Sequence, residues 1–296
     1  MDGIRFVFST VNYLSLDKSK ELIDSFLKVF SSELDRLLII NNSDDQAEFL
    51  ALANRYSMHD CLVFYNDGIN RGYLQSALLA LDRFLEDEVI EYRTFVMNND
   101  MLFWGDRKNW LRNLGCLLSD QSVGCVGVNV VDDNGVSQGV FLHNRPSLSR
   151  YLYFYFITIN KISYSIFTRI QAKAKAIFKF FHSADDVSKV NDAIDVYAVH
   201  GSFFYINANL RGKLNAINFP AFYAEEVVIA ELCRELNLRC VYVEGLTLNH
   251  IGSQSFKKSS SAVRISYMHS SVKYFLNNRM YGAHKPLISL SESEAS

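Results

Sequence analysis

The sequence predicts an α/β fold with a central, mixed but mainly parallel sheet flanked by helices. Over residues 1–130, short runs of β-branched or aromatic residues alternate with longer segments of helical spacing. Three of the predicted strands also end in clusters of Asn, Asp and Ser. In open α/β sheets, ligands bind beyond the carboxyl ends of the strands, so we expect the functional site at that edge.

The elements of this sheet follow in order from the start of the chain. Residues 4–10 form a short apolar run that predicts the first strand. The run contains a charged residue and has no small-residue cleavage site, so we do not expect a signal peptide here. Ser15 or Asp17 is suited to cap the helix that follows. The next predictions are strands at residues 37–40, 62–65 and 94–97, with a helix over residues 74–85 before the last of them.

The sheet is expected to become mixed after residue 120. Residues 123–131 predict a strand, and the turn residues 132–135 predict a hairpin with a pairing strand near residues 139–142. The later predictions are a strand over residues 196–206, a helix over residues 225–236, a strand over residues 240–243 and a frayed tail over residues 287–296.

Residues 146–184 differ in composition from the rest of the chain. The segment contains six basic residues among many aromatic and aliphatic ones, and it contains no acid. One interpretation is an amphipathic helix lying on an anionic membrane surface. The other is a basic helical insertion packed on the main domain, and the sequence supports both.

Composition limits the class of protein. With 14% aromatic residues and only 3 Pro in 296 residues, the chain is neither disordered nor collagenous. Its 30 basic and 32 acidic side chains nearly balance, so we expect no nucleic-acid partner. The five Cys form no CxxC pair, which favours a reduced, cytoplasmic chain, and no apolar run reaches the roughly 18 residues of a membrane span.

The first candidate site follows the predicted strand at residues 94–97. Asn98 and Asp100 offer oxygen ligands to a hard cation such as Mg²⁺ or Mn²⁺. Such a cation would balance phosphate charge in a chain without a glycine-rich phosphate-binding loop. A turn held by an Asx hydrogen bond explains the same residues and stays open as an alternative.

Two further candidates lie near the end of the chain. Glu225 and Glu226 begin a predicted helix, where its macrodipole would stabilise each by about 0.3 to 1 kcal/mol, so capping alone is one explanation. The other is that one carboxylate accepts a proton from an attacking hydroxyl while its neighbour orients or binds the substrate.

His250 follows the predicted strand at residues 240–243. It is either an ordinary structural histidine or, at the same sheet edge, a metal ligand that favours Mn²⁺.

Taken in order, these segments resemble the inverting family 2 glycosyltransferases, whose catalytic domain has the GT-A fold. Within that family the chain is similar to the rhamnosyl- and galactosyltransferase-like enzymes that build bacterial surface polysaccharides such as O-antigen. The resemblance covers about residues 4–255. It rests on the motifs Thr10-Val-Asn12-Tyr13, Asn41-Asn42-Ser43, Asn70-Arg-Gly72-Tyr73, Asn98-Asn-Asp100, His200-Gly201-Ser202, Tyr223-Ala-Glu225-Glu226 and His250-Ile-Gly-Ser253.

The resemblance implies a site for a nucleotide-sugar donor and a divalent cation, Mn²⁺ or Mg²⁺. Asp100 and His250 would ligate the cation. The residues implied around the nucleotide and the sugar are Thr10, Asn12, Asn41, Ser43, Asp44, Asn70, Gly72, Asn98, Asn99, His200, Gly201 and Ser202. Asn41 and Asn98 stand where the family commonly has Asp.

The implied reaction is a single displacement. An acceptor hydroxyl, on a polyprenol-linked or oligosaccharide acceptor, is deprotonated by Glu226 or Glu225 and attacks the anomeric carbon, whose configuration inverts. The family usually has Asp at the position of Glu226. The catalytic domain would span residues 1–255 and a helical extension with a frayed tail residues 256–296. The protein would be cytoplasmic, with peripheral contact to the inner membrane face through residues 146–184 as one option.

Two other functions stay open. A non-catalytic membrane-surface or scaffold module with the same fold would account for residues 146–184 and for the departures from the family pattern. A nucleotidyltransferase is disfavoured, since such enzymes generally need a glycine-rich basic loop after the first strand, and residues 9–12 are neither glycine-rich nor basic.

Overall fold

The computed structural model describes residues 3–30, 32–66, 68–160, 164–165, 193–217, 225–251 and 261–280. The strands are β1 Arg5–Asn12, β2 Arg36–Asn41, β3 Leu62–Tyr65, β4 Tyr92–Asn98, β5 Met101–Leu102, β6 Val123–Asp132, β7 Ala193–Val196, β8 Phe203–Ile206 and β9 Arg239–His250. The helices are α1 Leu16–Val29, α2 Gln46–Arg55, α3 Tyr73–Glu86, α4 Arg107–Ser119, α5 Leu148–Thr158, α6 Ala208–Leu214, α7 Glu225–Glu235 and α8 Ser261–Met280.

In the described part of the chain, nine strands form one mixed sheet with the order β3-β2-β1-β4-β8-β6-β9-β5, and β7 pairs with β9. Strands β1 to β4 are parallel to one another. Strand β8 runs antiparallel to both β4 and β6, whereas β6 and β9 are parallel. The predicted fold class, a mainly parallel sheet flanked by helices that becomes mixed late in the chain, is therefore confirmed.

Both faces of the central strands are buried, which explains their nearly continuous apolar sequences. Phe6 and Phe8 of β1 face α1 and α4 and belong to a cluster of aromatic rings that includes Trp110. Val7 and Val11 face the other side, where α3, α6 and α7 pack. Each face of the sheet thus has its own core.

Several predicted boundaries differ from the observed ones. The strand predicted over residues 196–206 is two strands, β7 and β8, because Val199 packs against Gly127 and the following residues turn away from the sheet. Strand β9 continues to His250 through an irregularity in its pairing with β6, far beyond residue 243. The turn at residues 132–135 forms, but residues 139–142 contribute only a single bridge, Leu142 to Ala198, in place of a strand.

The basic segment 146–184 is described only in part. Its first helix, α5, packs against α8 through Tyr151 and Phe275, whose ring centroids lie 5.5 Å apart. Thr158 Oγ1 also lies 3.1 Å from His269 Nδ1. Residues 166–192, the motif positions 223–224 and 252–253, and the predicted frayed tail lie outside the described residues. Within the residues described, no helix has both the length and the apolarity to span a membrane.

A buried ion pair joins the starts of β1, β2 and α4. Asp35 is fully buried, accepts a hydrogen bond from the Phe6 backbone N–H at 3.0 Å and contacts Arg107 Nε at 2.7 Å. Arg107 also donates to the Ile4 carbonyl. Because each charge is surrounded by protein, removing one partner leaves the other buried without compensation.

We expect Asp35→Ala to lower the free energy of unfolding by about 3 to 5 kcal/mol, measured by urea denaturation. The control is Glu21→Ala, which breaks the exposed Lys18–Glu21 pair and should cost no more than about 1 kcal/mol. Equal effects of the two substitutions would show that Asp35 is not a structural anchor.

Candidate active site

The parallel strands end at a common edge of the sheet. Asn12 at the end of β1 is in register with Asn41 at the end of β2, and its neighbour Val11 is in register with Asn98 at the end of β4. The polar clusters predicted at this edge are therefore adjacent in space. This adjacency follows from parallel pairing, because parallel strands carry their carboxyl ends to the same side.

Asp100 and His250 come together at this edge through the pairing of β5 with β9. Met101 is in register with His250, and the Ile251 N–H donates to the Asp100 carbonyl at 2.9 Å. As a result, Asp100 Oδ1 lies 3.1 Å from His250 Nε2, although the two residues are far apart in sequence. Both side chains are buried.

The two facing atoms fit a divalent cation. Although these two atoms lie close together, neither Asp100 Oδ1 nor His250 Nε2 makes a well-oriented hydrogen bond to any described residue. Two adjacent ligands of an octahedral ion, with bonds of about 2.1 Å, stand about 3.0 Å apart. The described residues contain no group of three or more His, Cys, Asp or Glu suited to a metal, so the ion's other ligands would be water or substrate oxygens.

Gln138, which the sequence did not single out, orients the imidazole of His250. Its amide contacts His250 Nδ1, with the nitrogen at 3.1 Å and the oxygen at 3.3 Å. When Nδ1 carries the proton and donates it to the amide oxygen, Nε2 is left with a free lone pair toward Asp100. Gln138 thus offers His250 Nδ1 a partner in either tautomer and orients the ring, and the tautomer with its proton on Nδ1 is the one that can bind a metal.

Asn98 and Asn99 have different environments. The Asn98 backbone N–H donates to the Ser202 carbonyl at 2.9 Å, and its side chain is partly exposed. The buried Asn99 amide donates to the hydroxyls of Ser15 at 2.8 Å and Ser19 at 3.0 Å, which ties the metal-site turn to α1. Asn99 thus has a bracing role in the structure, and its contact with a donor stays a prediction.

Asn12, Asn41 and Ser43 form a buried hydrogen-bond network behind the edge. The Asn12 amide donates to Asn41 Oδ1 at 3.0 Å, and the Ser43 hydroxyl donates to the same oxygen at 2.9 Å and to Asp45 Oδ1 at 2.6 Å. Thr10 is fully buried, and its hydroxyl has no partner among the described residues. These residues can shape a donor pocket from behind.

Asp44, Asn70 and Gly72 lie nearer the surface. Asp44 and Asn70 are exposed, and Asn70 Oδ1 accepts the Gly72 N–H at 2.9 Å. Gly72 has φ 81°, a conformation that favours glycine, and it begins α3 without a side-chain cap. Asn42, to which no role had been assigned, donates to the Gly72 carbonyl at 2.9 Å and fixes this helix start against β2.

The candidate acids stand at the start of α7, against the loop between β7 and β8. The Glu226 carboxylate lies against the Gly201 backbone, whose N–H acts to lower the pKa of Glu226. A Cβ at position 201 would lie 2.4 Å from Glu226 Oε1, so only glycine leaves room for this carboxylate. Burial, followed by the charge of buried Glu225, raises the pKa of Glu226 to about 8.

His200 and Tyr73 complete the surroundings of the acids. The Ser202 N–H donates to His200 Nδ1 at 3.2 Å, and burial followed by the charge of His250 lowers the pKa of His200 to about 4. His200 is therefore neutral at pH 7. The Tyr73 hydroxyl donates to the Gly201 carbonyl at 3.1 Å.

The pKa of the Tyr73 phenol indicates how the site is assembled. Burial raises it well above its usual value, and the charges of Glu225, Glu226 and Asp100 raise it further, in that order. All three carboxyl groups therefore act on one phenol. The predicted metal ligand Asp100 and the predicted acids thus lie within electrostatic range of the same phenol.

Comparison with family models finds no match, and comparison with curated proteins finds no significant relative. Solved structures do match. GalNAc-T7 with UDP, GalNAc and Mn²⁺ superposes with a TM-score of 0.56 at 11% identity, covering 97% of this chain and 52% of that one. S. aureus TarS 1-349 in complex with UDP-GlcNAc gives 0.55 at 14% identity, covering 97% and 69%.

The mannosyltransferase PcManGT from Pyrobaculum calidifontis, in complex with GDP-Man and Mn²⁺, gives a TM-score of 0.50 at 11% identity, covering 97% of this chain and 78% of that one. The chain spans about half the length of the GalNAc-T7 structure. At these identities the likeness shows the fold, so the chain has the GT-A fold that its motifs predicted.

We expect Gln138→Ala to weaken Mn²⁺ binding by about 10- to 100-fold, because the imidazole of His250 loses the partner that orients it. Titration of the metal-free protein followed by the electron paramagnetic resonance of free Mn²⁺ measures this. Gln121→Ala, at an exposed position away from His250, is the control. Unchanged affinity in Gln138→Ala, or in Asp100→Asn and His250→Ala, would contradict the metal assignment.

Proposed function

We propose that the chain is a metal-dependent inverting glycosyltransferase that moves a sugar from a nucleotide-diphosphate donor to an acceptor hydroxyl. One observation carries the proposal: two buried, unsatisfied ligand atoms, on Asp100 and His250, face each other at the sheet edge, and Asp100 and Glu226 both act on the buried phenol of Tyr73. Structures of the same fold that hold UDP with GalNAc and Mn²⁺, or GDP-Man and Mn²⁺, support the donor class.

Asp100 and His250 would hold the cation, with Mn²⁺ favoured over Mg²⁺ because one ligand is an imidazole. When bound, a divalent cation stabilises the negative charge that builds on a departing diphosphate. Gln138 orients the imidazole of His250, and Asn99 fixes the turn that carries Asp100. The protein's contribution to this half of the site is a preorganised pair of ligands.

The donor would lie along the carboxyl edge of the sheet. Asp44 and Asn70 are the exposed polar residues beside the ends of β2 and β3, and they are suited to contact the base and the ribose. The buried network of Asn12, Asn41 and Ser43 supports that surface from within. Asn98 and the loop of His200 and Ser202 would adjoin the sugar.

Glu226 is the better candidate for the base. Its carboxylate is fixed by the Gly201 N–H, and a pKa near 8 lies close to working pH, where proton acceptance is most effective. A raised pKa leaves most of the group protonated at pH 7, so the reactive ionised fraction increases as the pH rises toward 8. Glu226 would take the proton of the acceptor hydroxyl while that oxygen attacks the anomeric carbon and the diphosphate leaves. A single displacement of this kind inverts the configuration.

The acceptor proposed is a saccharide or a polyprenol-linked saccharide of bacterial surface polysaccharide synthesis, such as O-antigen. This proposal is supported by the order of the family 2 motifs along the chain. It also places the protein in the cytoplasm, at the inner face of the cell membrane, where such acceptors are presented.

We expect Glu226→Gln to lower donor- and acceptor-dependent nucleotide release by at least about 100-fold, because the amide cannot accept the proton. Glu225→Gln should stay active, with the acid limb of its pH profile at lower pH, since the charge that raises the pKa of Glu226 is gone. Release is measured with Mn²⁺ and a panel of nucleotide sugars. Glu235→Gln, exposed on the same helix, is the control.

Each alternative has its own outcome in this experiment. Full activity of Glu226→Gln together with an inactive Glu225→Gln would assign the base to Glu225. Absence of turnover by the wild-type protein with every donor, and of thermal stabilisation by any of them, would contradict the enzyme class and leave the non-catalytic module.

Helix α5 supports membrane contact as a second part of the proposal. One side of the helix packs against α8, whereas apolar residues at spacings of four, four and three are exposed on and just after the helix. These exposed residues are Leu148, Leu152, Phe156 and Ile159. A helix with an apolar face and basic neighbours is suited to the surface of an anionic bilayer. Both sequence interpretations of this segment therefore have support in α5.

We expect the double substitution Leu152→Ser and Phe156→Ser to reduce flotation with phosphatidylglycerol vesicles by at least about tenfold, because each side chain loses favourable burial in the lipid. The matched control replaces Leu50 and Met58, which are exposed on or beside α2, with Ser. Equal flotation of the two double variants would contradict binding through α5. Lack of wild-type flotation with intact turnover would leave the enzyme proposal standing without its membrane part.

A further inference from the structure

Tyr73 makes a contact that no part of the proposed reaction uses. It is the first residue of α3, directly after Gly72. Its hydroxyl donates a hydrogen bond of 3.1 Å to the Gly201 carbonyl, which is 128 residues away in the sequence. Because burial raises the pKa of the phenol, the hydroxyl keeps its proton at any working pH and remains a donor.

Gly201 needs such a restraint. It has no side chain, so its backbone is intrinsically the least constrained of any residue. It cannot be replaced by a stiffer residue, because a Cβ would lie 2.4 Å from Glu226 Oε1 and 2.9 Å from Glu226 Cδ. The conformation that directs its N–H at Glu226 must therefore be held by contacts from outside.

Two contacts hold the peptide group that joins Gly201 to Ser202. Its carbonyl accepts the hydroxyl of Tyr73, and its N–H donates to His200 Nδ1 at 3.2 Å. The contact with His200 is local to the loop. The Asn98 N–H anchors the next peptide by donating to the Ser202 carbonyl at 2.9 Å, and the contact with Tyr73 ties the Gly201 carbonyl itself to α3.

We propose that Tyr73 is a positioning residue for the acid, holding the Gly201 backbone in place against the carboxylate of Glu226. The inference deepens the proposed function, since it rests on Glu226 as the base. Tyr73 itself need not touch the substrate. Its hydroxyl acts through the backbone of Gly201.

Loss of this restraint has a definite electrostatic consequence. The hydrogen bond from Gly201 stabilises the ionised form of Glu226, so weakening it raises the pKa of that carboxyl group further. The titratable groups around this contact are Glu225 on α7, Asp100 in the turn between β4 and β5, and His200, which is neutral at pH 7.

The test is Tyr73→Phe, which keeps the ring and removes only the hydroxyl. We expect kcat to fall by about threefold to tenfold, the range of a single neutral hydrogen bond, with little change in the KM for the donor. The acid limb of the pH profile should move to higher pH. Tyr197→Phe is the matched control, because Tyr197 donates to Glu231 on the same helix at 2.6 Å, away from the acid.

A second readout does not require turnover. Titration of ¹³C-labelled glutamate carboxyl groups by NMR, with Glu226 assigned by its loss in Glu226→Gln, should give a higher pKa in Tyr73→Phe than in the wild-type protein or Tyr197→Phe. An unchanged pKa and pH profile in Tyr73→Phe would overturn the positioning role, as would equal shifts in both tyrosine variants. A raised pKa in a protein that turns over no donor would keep the positioning role and contradict the glycosyltransferase.

Discussion

The contact of Asp100 with His250 is the constraint on which the candidate site depends. It places a carboxylate oxygen and an imidazole nitrogen 3.1 Å apart in a buried position without a well-formed hydrogen bond. Burial of polar atoms without a partner costs free energy, which the surrounding structure must offset. The short β5, the length of β9 and the amide of Gln138 all serve to hold this pair. A bound cation would satisfy both atoms at once.

The loop between β7 and β8 links the metal half of the site to the acid half. One continuous strand over residues 196–206 would keep Gly201 within the sheet, where it could not donate to Glu226. Strand β7 pairs with β9, whereas β8 pairs with β4 and β6. The residues between β7 and β8 are therefore not held in the sheet. The interruption that the sequence did not predict is therefore the feature that brings Gly201 to α7.

The sequence predicted what local pattern determines. Strand β3 was predicted at its exact limits because its apolar run is bounded by polar turns, and the four parallel strands followed from the same signal. The extension of β9 to His250 was missed because Glu244 and Gly245 interrupt the apolar pattern where the pairing shifts. No role was predicted for Gln138 or for Tyr73, which appeared only within a motif, because their partners lie 112 and 128 residues away and no local spacing encodes such contacts.

The two acids at the start of α7 can now be weighed against simple capping. Interaction with the helix macrodipole stabilises each ionised acid at an exposed helix end by about 0.3 to 1 kcal/mol. Glu225 is buried. The pKa of Glu226 is about 8, whereas the ordinary value for Glu is 4.5. Each unit of this difference corresponds to about 1.4 kcal/mol of free energy that opposes ionisation. The free energy needed to ionise Glu226 in this position is thus several times the stabilisation that capping provides. Capping does not explain why the fold keeps this carboxyl group against Gly201, whereas the proposed proton transfer near neutral pH would.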